Sequence, residues 1–390
     1  MKKKMYLFVI TYLAYVSIYI ARVNLSMASP GLIDGQILDN AELGIMAGLF
    51  SVVYAFGRLI NGGFSDKCPP WIMISVGLVF SGLANIFCSF FPPFIGMCIL
   101  WTVNAFAQSM LWSSVLCIVA AIYDEQKAKK MTSYMVTSVA TGNIIAILLT
   151  TGIIEKLGLA FAFAVPGAIT LIMAGFIALN MRKIKAPGAK SDKHIPIFRL
   201  FSDSGVRKII FPAFFHGVIK ENITVWMTVY FVSKFGVNLE ESAMFVLFIP
   251  IVGFVGRMIY PFLFGIFREK EHTVSNVAFI ICTLASALLS LGFNAPVAAA
   301  VSMSIIYAAV SVINTSILSI FPLRYASTGN VASISGVMDL ATYGGGGIGS
   351  LVYGFTIKAF GYTPMFVSWI VISVVSIFIL RSFNTTEKSE

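Results

Sequence analysis

Charge is scarce in this chain: Asp, Glu, Lys and Arg together make up 11% of its 390 residues. Soluble domains carry roughly a quarter, so the composition excludes an ordinary water-facing surface. Long polar stretches are also missing. A secreted protein would show one short apolar leader ahead of a polar body, whereas here apolar runs recur toward the C-terminus and hydrophobic residues reach 58%. The five cysteines, at 68, 88, 98, 117 and 282, include no CxxC pair. They read as small apolar residues in or near helices, without a metal-binding pattern. Three histidines without ligand spacing add no metal site. No Ser/His/Asp constellation is placed, so neither a catalytic residue nor an enzyme is expected, and no cofactor. The net charge of +10 would suit nucleic acid. The bases, however, stand at the ends of apolar runs, and no basic, aromatic-interleaved domain exists. ATYGGGGIGSLVYG (341–354) lacks a preceding strand and a GK[ST] ending, so it is no phosphate loop. Its small residues suit close helix packing or a hinge.

What remains is an integral membrane protein. Backbone groups in hydrocarbon must be satisfied internally, which demands helices of about 20 apolar residues. The runs predict twelve transmembrane helices, near 5–28, 41–64, 71–90, 94–121, 133–154, 159–180, 209–233, 242–266, 273–292, 296–320, 330–356 and 362–381. With both termini cytoplasmic, inner segments hold 20 Lys and Arg and outer segments only Lys156, Lys234 and Lys358. Such a bias orients membrane proteins positive side in. The longest polar stretch, 181–208, separates an N-terminal six-helix half (1–181) from a C-terminal one (208–390), with 182–207 as a cytoplasmic linker.

The halves echo each other. Arg22-x-Asn24 recurs as Lys220-x-Asn222, 198 positions later, and the FGR ending at Arg58 recurs as the VGR ending at Arg257, 199 positions later. GIIEKLG (152–158) is loosely matched by GFTIKAFG (354–361). Repeated helical halves are how many secondary transporters place a midplane site and expose it alternately to each side.

Away from the span ends, the charged residues are Arg22, Arg58, Lys220, Arg257, Glu221 and Asp339. Each costs ~2.5–3.5 kcal/mol at a helix centre on insertion scales and usually faces a cavity or a partner. Arg58 and Arg257 stand near the inner ends, where a long side chain snorkels. Arg22 and Lys220 sit deeper, at equivalent places in the two halves. Two converging bases make an anion site, with arginine supplying a planar fork and lysine a mobile point charge. Glu221 follows Lys220 directly, so the two side chains leave the helix about 100° apart. This predicts that Glu221 pairs with a base on another helix or takes up a proton; Asp339 has the same two options. Tyr15 and Tyr19 share a helix face with Arg22, and Trp226 and Tyr230 form a comparable pair beyond Lys220. These four are expected to line the cavity or to pack between helices.

These motifs resemble a transporter of the major facilitator superfamily, and within it the organophosphate:phosphate antiporter family, which includes bacterial glycerol-3-phosphate and hexose-phosphate transporters. The first-span pattern YxxxYxxRxNxxxAxP is met by Tyr15, Tyr19, Arg22, Asn24, Ala28 and Pro30. RLINGGFSDK (58–67) is similar to the family's second-span segment, ending in the gating inner-loop motif at Gly62, Asp66 and Lys67. SISGVMDLATYGGGGIGS (333–350) resembles its eleventh-span segment. The resemblance implies a two-half all-α fold in a bacterial cytoplasmic (inner) membrane. It also implies a phosphate clamped by a base from each half, Arg22 and Lys220, with Arg58 assisting; the internal echo makes Arg257 the second-half counterpart of Arg58. The family's seventh-span arginine is lysine here.

The expected activity is secondary transport of a small organic anion, a phosphorylated metabolite, by alternating access and in exchange for inorganic phosphate. A proton-coupled carboxylate carrier and a membrane receptor sensing a sugar phosphate are the alternatives. The expected partners are the anion, phosphate or protons, and membrane lipid, with the chain acting as a monomer.

Overall fold

The computed structural model describes residues 2–65, 68–182, 184, 203–268, 270–292, 295–328 and 331–386. All regular structure among them is helical: α1 (Lys2–Asp34), α2 (Asn40–Ser65), α3 (Pro70–Cys88), α4 (Phe94–Ser109), α5 (Leu111–Ile122), α6 (Glu125–Leu157), α7 (Phe161–Asn180), α8 (Ser204–Phe235), α9 (Leu239–Ile266), α10 (Glu271–Ser290), α11 (Pro296–Asn314), α12 (Val331–Phe360) and α13 (Thr363–Thr386). Helices α4 and α5 meet at Met110 and read as one span, Phe94–Ile122. Past α11 the chain continues through a wide turn of helix (Thr315–Ile320) and a tighter one (Phe321–Thr328). The chain is an all-α membrane protein of about twelve long helices. Among the described residues, ten helical segments are long and apolar enough to cross a membrane. The other two long helices are α8, which carries Lys220 and Glu221, and α12, which carries Asp339.

Local chemistry sets several helix ends. Asp124 and Asp203 each accept a backbone N–H of the first turn, from Lys127 and Val206 respectively. Asn238 and Glu241 form a reciprocal capping box at the start of α9, which satisfies two backbone donors otherwise left bare. Gly236 closes α8 in the left-handed conformation, with φ of 66°, where a side chain would be strained. Large apolar side chains such as Phe56, Phe64, Phe80, Phe262 and Phe378 stand exposed on the outside of the helices, the surface that lipid rather than water would cover.

The chain divides into two compact units, Met1–Glu42 with Leu49–Asp192, and Leu43–Gly48 with Lys193–Glu390. In unit 1, α1 packs on α6 and α7, and α3 packs on α4 and α7. Its core gathers Phe8, Tyr15, Leu78, Val115, Ile118 and Met135. A polar knot crosses the unit beside Arg22. The carbonyl oxygen of Ala21 accepts from Asn85 of α3 at 3.1 Å, and from Asn104 and Gln108 of α4 at 3.0 and 3.3 Å. Asn24 donates to Asn85 at 2.8 Å and to the carbonyl of Ala162 at 3.0 Å. Without water to compete, such bonds are worth about 0.6 kcal/mol on average and fix how helices meet.

In unit 2, α8 lies along α12, α9 along α11, and α10 along α11 and α13. Asn222 repeats the role of Asn24. It donates to the carbonyl of Gly346 at 3.2 Å and accepts from Ser350 at 2.8 Å and from the Trp226 indole at 3.1 Å. At one end of the unit Arg324 pairs with the buried Glu271, and Tyr325 donates to Asp203 at 2.6 Å. Most of the linker expected at 182–207, together with Asp66 and Lys67 of the inner-loop motif, lies outside the described residues; Gly62 is in the last turns of α2.

Candidate functional site

Unit 1 presents Arg22 from the middle of α1, a helix that the amides of Asn85, Asn104 and Gln108 hold at the preceding residue. The side chain is half-buried. Its guanidinium carbon lies 4.7 Å from the Phe50 ring centroid and 4.8 Å from that of Tyr54. Those two rings, one helical turn apart on α2, are close to parallel, at 10° with centroids 6.0 Å apart. They form a shelf whose negative π faces meet the cation, an interaction worth about 0.5–2 kcal/mol depending on solvation. Sequence reasoning passed over Phe50 and Tyr54. The signal was there: with Arg58 they form an i, i+4, i+8 series along one face of α2. Arg58 itself is half-buried, one turn beyond Tyr54.

The aromatic pairs are placed differently. Tyr15 is buried in the unit 1 core, its ring 5.7 Å from Tyr19 and 5.0 Å from Trp112. Tyr19, nearer Arg22, is only half-buried. Trp226 is fully buried and hydrogen-bonded to Asn222. Tyr230 is buried edge-on among Phe231, Phe235, Tyr362 and Phe366.

Unit 2 presents Lys220 from the middle of α8. Its ammonium lies 2.9 Å from the Glu221 carboxylate, with the side chains 17% and 12% exposed, and 5.3 Å from the Tyr343 ring of α12. The expectation that adjacent positions on a helix keep these two charges apart is corrected. Their Cα–Cβ bonds diverge as expected, but two long side chains curl back across the helix surface and meet. What makes the room is the glycine run of α12. A β-carbon at Gly346 would sit 2.5 Å from Cγ of Glu221, and one at Gly345 would collide with the backbone of Phe214. The run is therefore a close-packing surface, and what it accommodates is a carboxylate next to the lysine.

Other charged and polar groups belong to the same unit. His216, one turn before Lys220, is buried, with Nε2 at 3.0 Å from the carbonyl oxygen of Val310. Arg257 of α9 is half-buried, and its Nε is buried without a hydrogen-bond partner among the described residues. Asp339 is half-buried on α12, one turn before Tyr343. The described residues contain no cluster of three His, Cys, Asp or Glu able to hold a metal ion. Each unit thus carries one central base in partly dry surroundings, seated on rings in unit 1 and beside a carboxylate in unit 2. Such groups can neutralise and orient an anion; nothing about them suits bond making or breaking.

The model of the Major Facilitator Superfamily matches residues 11–350. A probable hexose phosphate transport protein of Chlamydia trachomatis is 23% identical over 73% of this chain and 69% of its own length. A glycerol-3-phosphate transporter of Bacillus subtilis is 22% identical over 99% of this chain and 94% of its own. Among solved structures, a mutant form of the nucleoside transporter NupG superposes with a TM-score of 0.83 at 15% identity, covering 97% of this chain and 99% of that one. A bacterial homologue of the human lysosomal transporter Spinster superposes with a TM-score of 0.82 at 14% identity, covering 99% and 98%. These structural likenesses establish the fold alone.

Proposed function

We propose that this chain, which belongs to the Major Facilitator Superfamily and is a multi-pass protein of a bacterial inner membrane, carries a small phosphorylated organic anion by alternating access. The superfamily is a transporter class, not an enzymatic one. The observation that carries the substrate class is Arg22: a guanidinium in mid-span, oriented on the parallel rings of Phe50 and Tyr54. A guanidinium seated on ring faces is oriented as a planar fork, the form that takes a phosphate in bidentate fashion. Lys220 of unit 2 supplies the second positive charge, with Arg58 and Arg257 as auxiliary bases. Phosphate transport named in relatives of Chlamydia and Bacillus supports phosphate over carboxylate as the anionic group. In this reading the chain acts as a monomer, and its inner-loop motif at Gly62, Asp66 and Lys67 takes part in gating.

The reading is tested by counterflow in proteoliposomes. Vesicles are loaded in turn with inorganic phosphate, glycerol phosphate, hexose phosphates and carboxylates, with and without a pH gradient. Organophosphate uptake is expected, and Arg22→Ala should abolish it while leaving a folded, monodisperse protein. Uptake by that variant near the wild-type rate would sink the assignment. Stimulation by internal phosphate alone indicates exchange, and stimulation by the gradient alone indicates proton coupling. Binding without transport would make the chain a receptor instead.

A further inference from the structure

Among the buried polar atoms of unit 2 with no hydrogen-bond partner in the described residues are Nδ1 of His216 on α8 and Nε of Arg257 on α9. We propose that these two atoms form a subsite for a hydroxyl group of the carried solute, so that the phosphorylated anion is also a polyol or a sugar. This rests on the reading of the chain as an organophosphate carrier, and it names the part of the solute that the phosphate-binding bases do not.

Packing brings the two side chains to one stretch of α11. The His216 ring is fully buried and reaches the carbonyl oxygen of Val310, with Nε2 at 3.0 Å. Helix α9 closes on the same turn. A β-carbon at Gly256 would sit 2.5 Å from the carbonyl oxygen of Ala308, and one at Gly253 would sit 2.7 Å from the Tyr307 ring. Arg257 follows Gly256 directly, so its side chain leaves α9 close to where that helix touches α11. The charges of Lys220 and Arg257 both act on the imidazole, and the three side chains therefore share one neighbourhood.

Hydrogen-bond chemistry selects the occupant. A carbonyl oxygen only accepts, so Nε2 of His216 carries the hydrogen, and Nδ1 of the neutral ring is a bare acceptor. Arg257 offers donors alone. A buried polar atom without a partner bears the full loss of its hydration, and such atoms persist where a ligand or a water completes the bond. A group serving both must donate to His216 and accept from Arg257. A carboxylate or a phosphate dianion cannot donate, an ammonium cannot accept, and a methyl group does neither; a hydroxyl does both. Water has the same two capacities, but a subsite that water alone fills is indifferent to hydroxyls on the solute.

The test is equilibrium titration of the purified full chain with two pairs of phosphate monoesters at pH 8. Glycerol phosphate is compared with propyl phosphate, and glucose 6-phosphate with tetrahydropyranylmethyl phosphate. Within a pair the members differ only in hydroxyls, and all four are dianions, since the second phosphate pKa is near 6. Wild type should bind the hydroxylated member of at least one pair about tenfold more tightly or better, because the analogue leaves both buried atoms unpaired. His216→Gln keeps an amide donor for Val310 and loses the Nδ1 acceptor; it should bring that ratio toward one. Arg257→Met, which removes the donor, should do the same. A packing defect would weaken both members of a pair alike and leave the ratio unmoved. A wild-type ratio near one in both pairs, as water alone would give, overturns the inference, and so does a ratio that survives both substitutions. If one variant does not fold, the other decides; if neither folds, Arg257→Lys, which keeps the charge without the Nε donor, takes their place. Tight binding of all four esters sinks this inference alone. Binding of none sinks the phosphate reading and the inference with it.

Discussion

Arg22 and Lys220 are equivalent by position and unequal by environment. The arginine rests on two π faces 4.7 and 4.8 Å away, and the lysine touches a carboxylate at 2.9 Å. A ring orients a cation without neutralising it, so the shelf should matter to affinity more than to folding. Tyr54→Leu removes one face and should weaken glycerol phosphate binding roughly fivefold, the equivalent of about 1 kcal/mol for a partly desolvated cation–π contact. Tyr54→Phe keeps the face and should bind nearly as wild type; titration of the two variants side by side checks the mechanism, since equal losses would point to the hydroxyl instead. Arg22 itself was legible as a charge inside an apolar run. Its shelf lies on a different helix, and only the reach of the Arg22 side chain to Phe50 and Tyr54 reveals which aromatic residues form it.

At the scale of elements, the echo Arg22-x-Asn24 and Lys220-x-Asn222 joins two jobs within three residues. The base is presented for chemistry, while the asparagine locks the presenting helix to its neighbours, Asn24 to α3 and α7, and Asn222 to α12. The glycine run of α12 shows the same division at finer grain. Gly345 lies hard against the Phe214 backbone, whereas Gly344 has nothing within 4 Å of where a β-carbon would be. Gly345→Val should therefore lower the melting temperature sharply or prevent folding, since overpacking costs typically about 1–3 kcal/mol and a backbone neighbour cannot swing aside. Gly344→Ala should be neutral or stabilising by up to about 1 kcal/mol, because alanine favours helix. Thermal melts followed by tryptophan fluorescence would separate the two. The run was legible as small residues for close packing. That its cradle holds Glu221 was not, because side-chain reach is invisible in helix spacing, and spacing alone argued for separating the charges that in fact meet.

For the molecule as a whole, the sparsity of charge and the recurrence of apolar runs already required a helical membrane protein, because hydrocarbon leaves the backbone no partner but itself. The bias of 20 inner bases to three outer ones further predicts both termini in the cytoplasm. Reporter fusions after Glu390 and after Lys156 should accordingly be active on opposite sides of the membrane, and activity on the same side would refute that topology. Composition and periodicity along a single helix were enough for the solvent, the helical class, the span rhythm and the two mid-span bases. Only the packed chain shows that rings meet Arg22 and that a carboxylate meets Lys220. That difference depends on which neighbouring helix comes close and on how far its side chains reach. These are contacts between residues distant in the chain, and no local pattern encodes them.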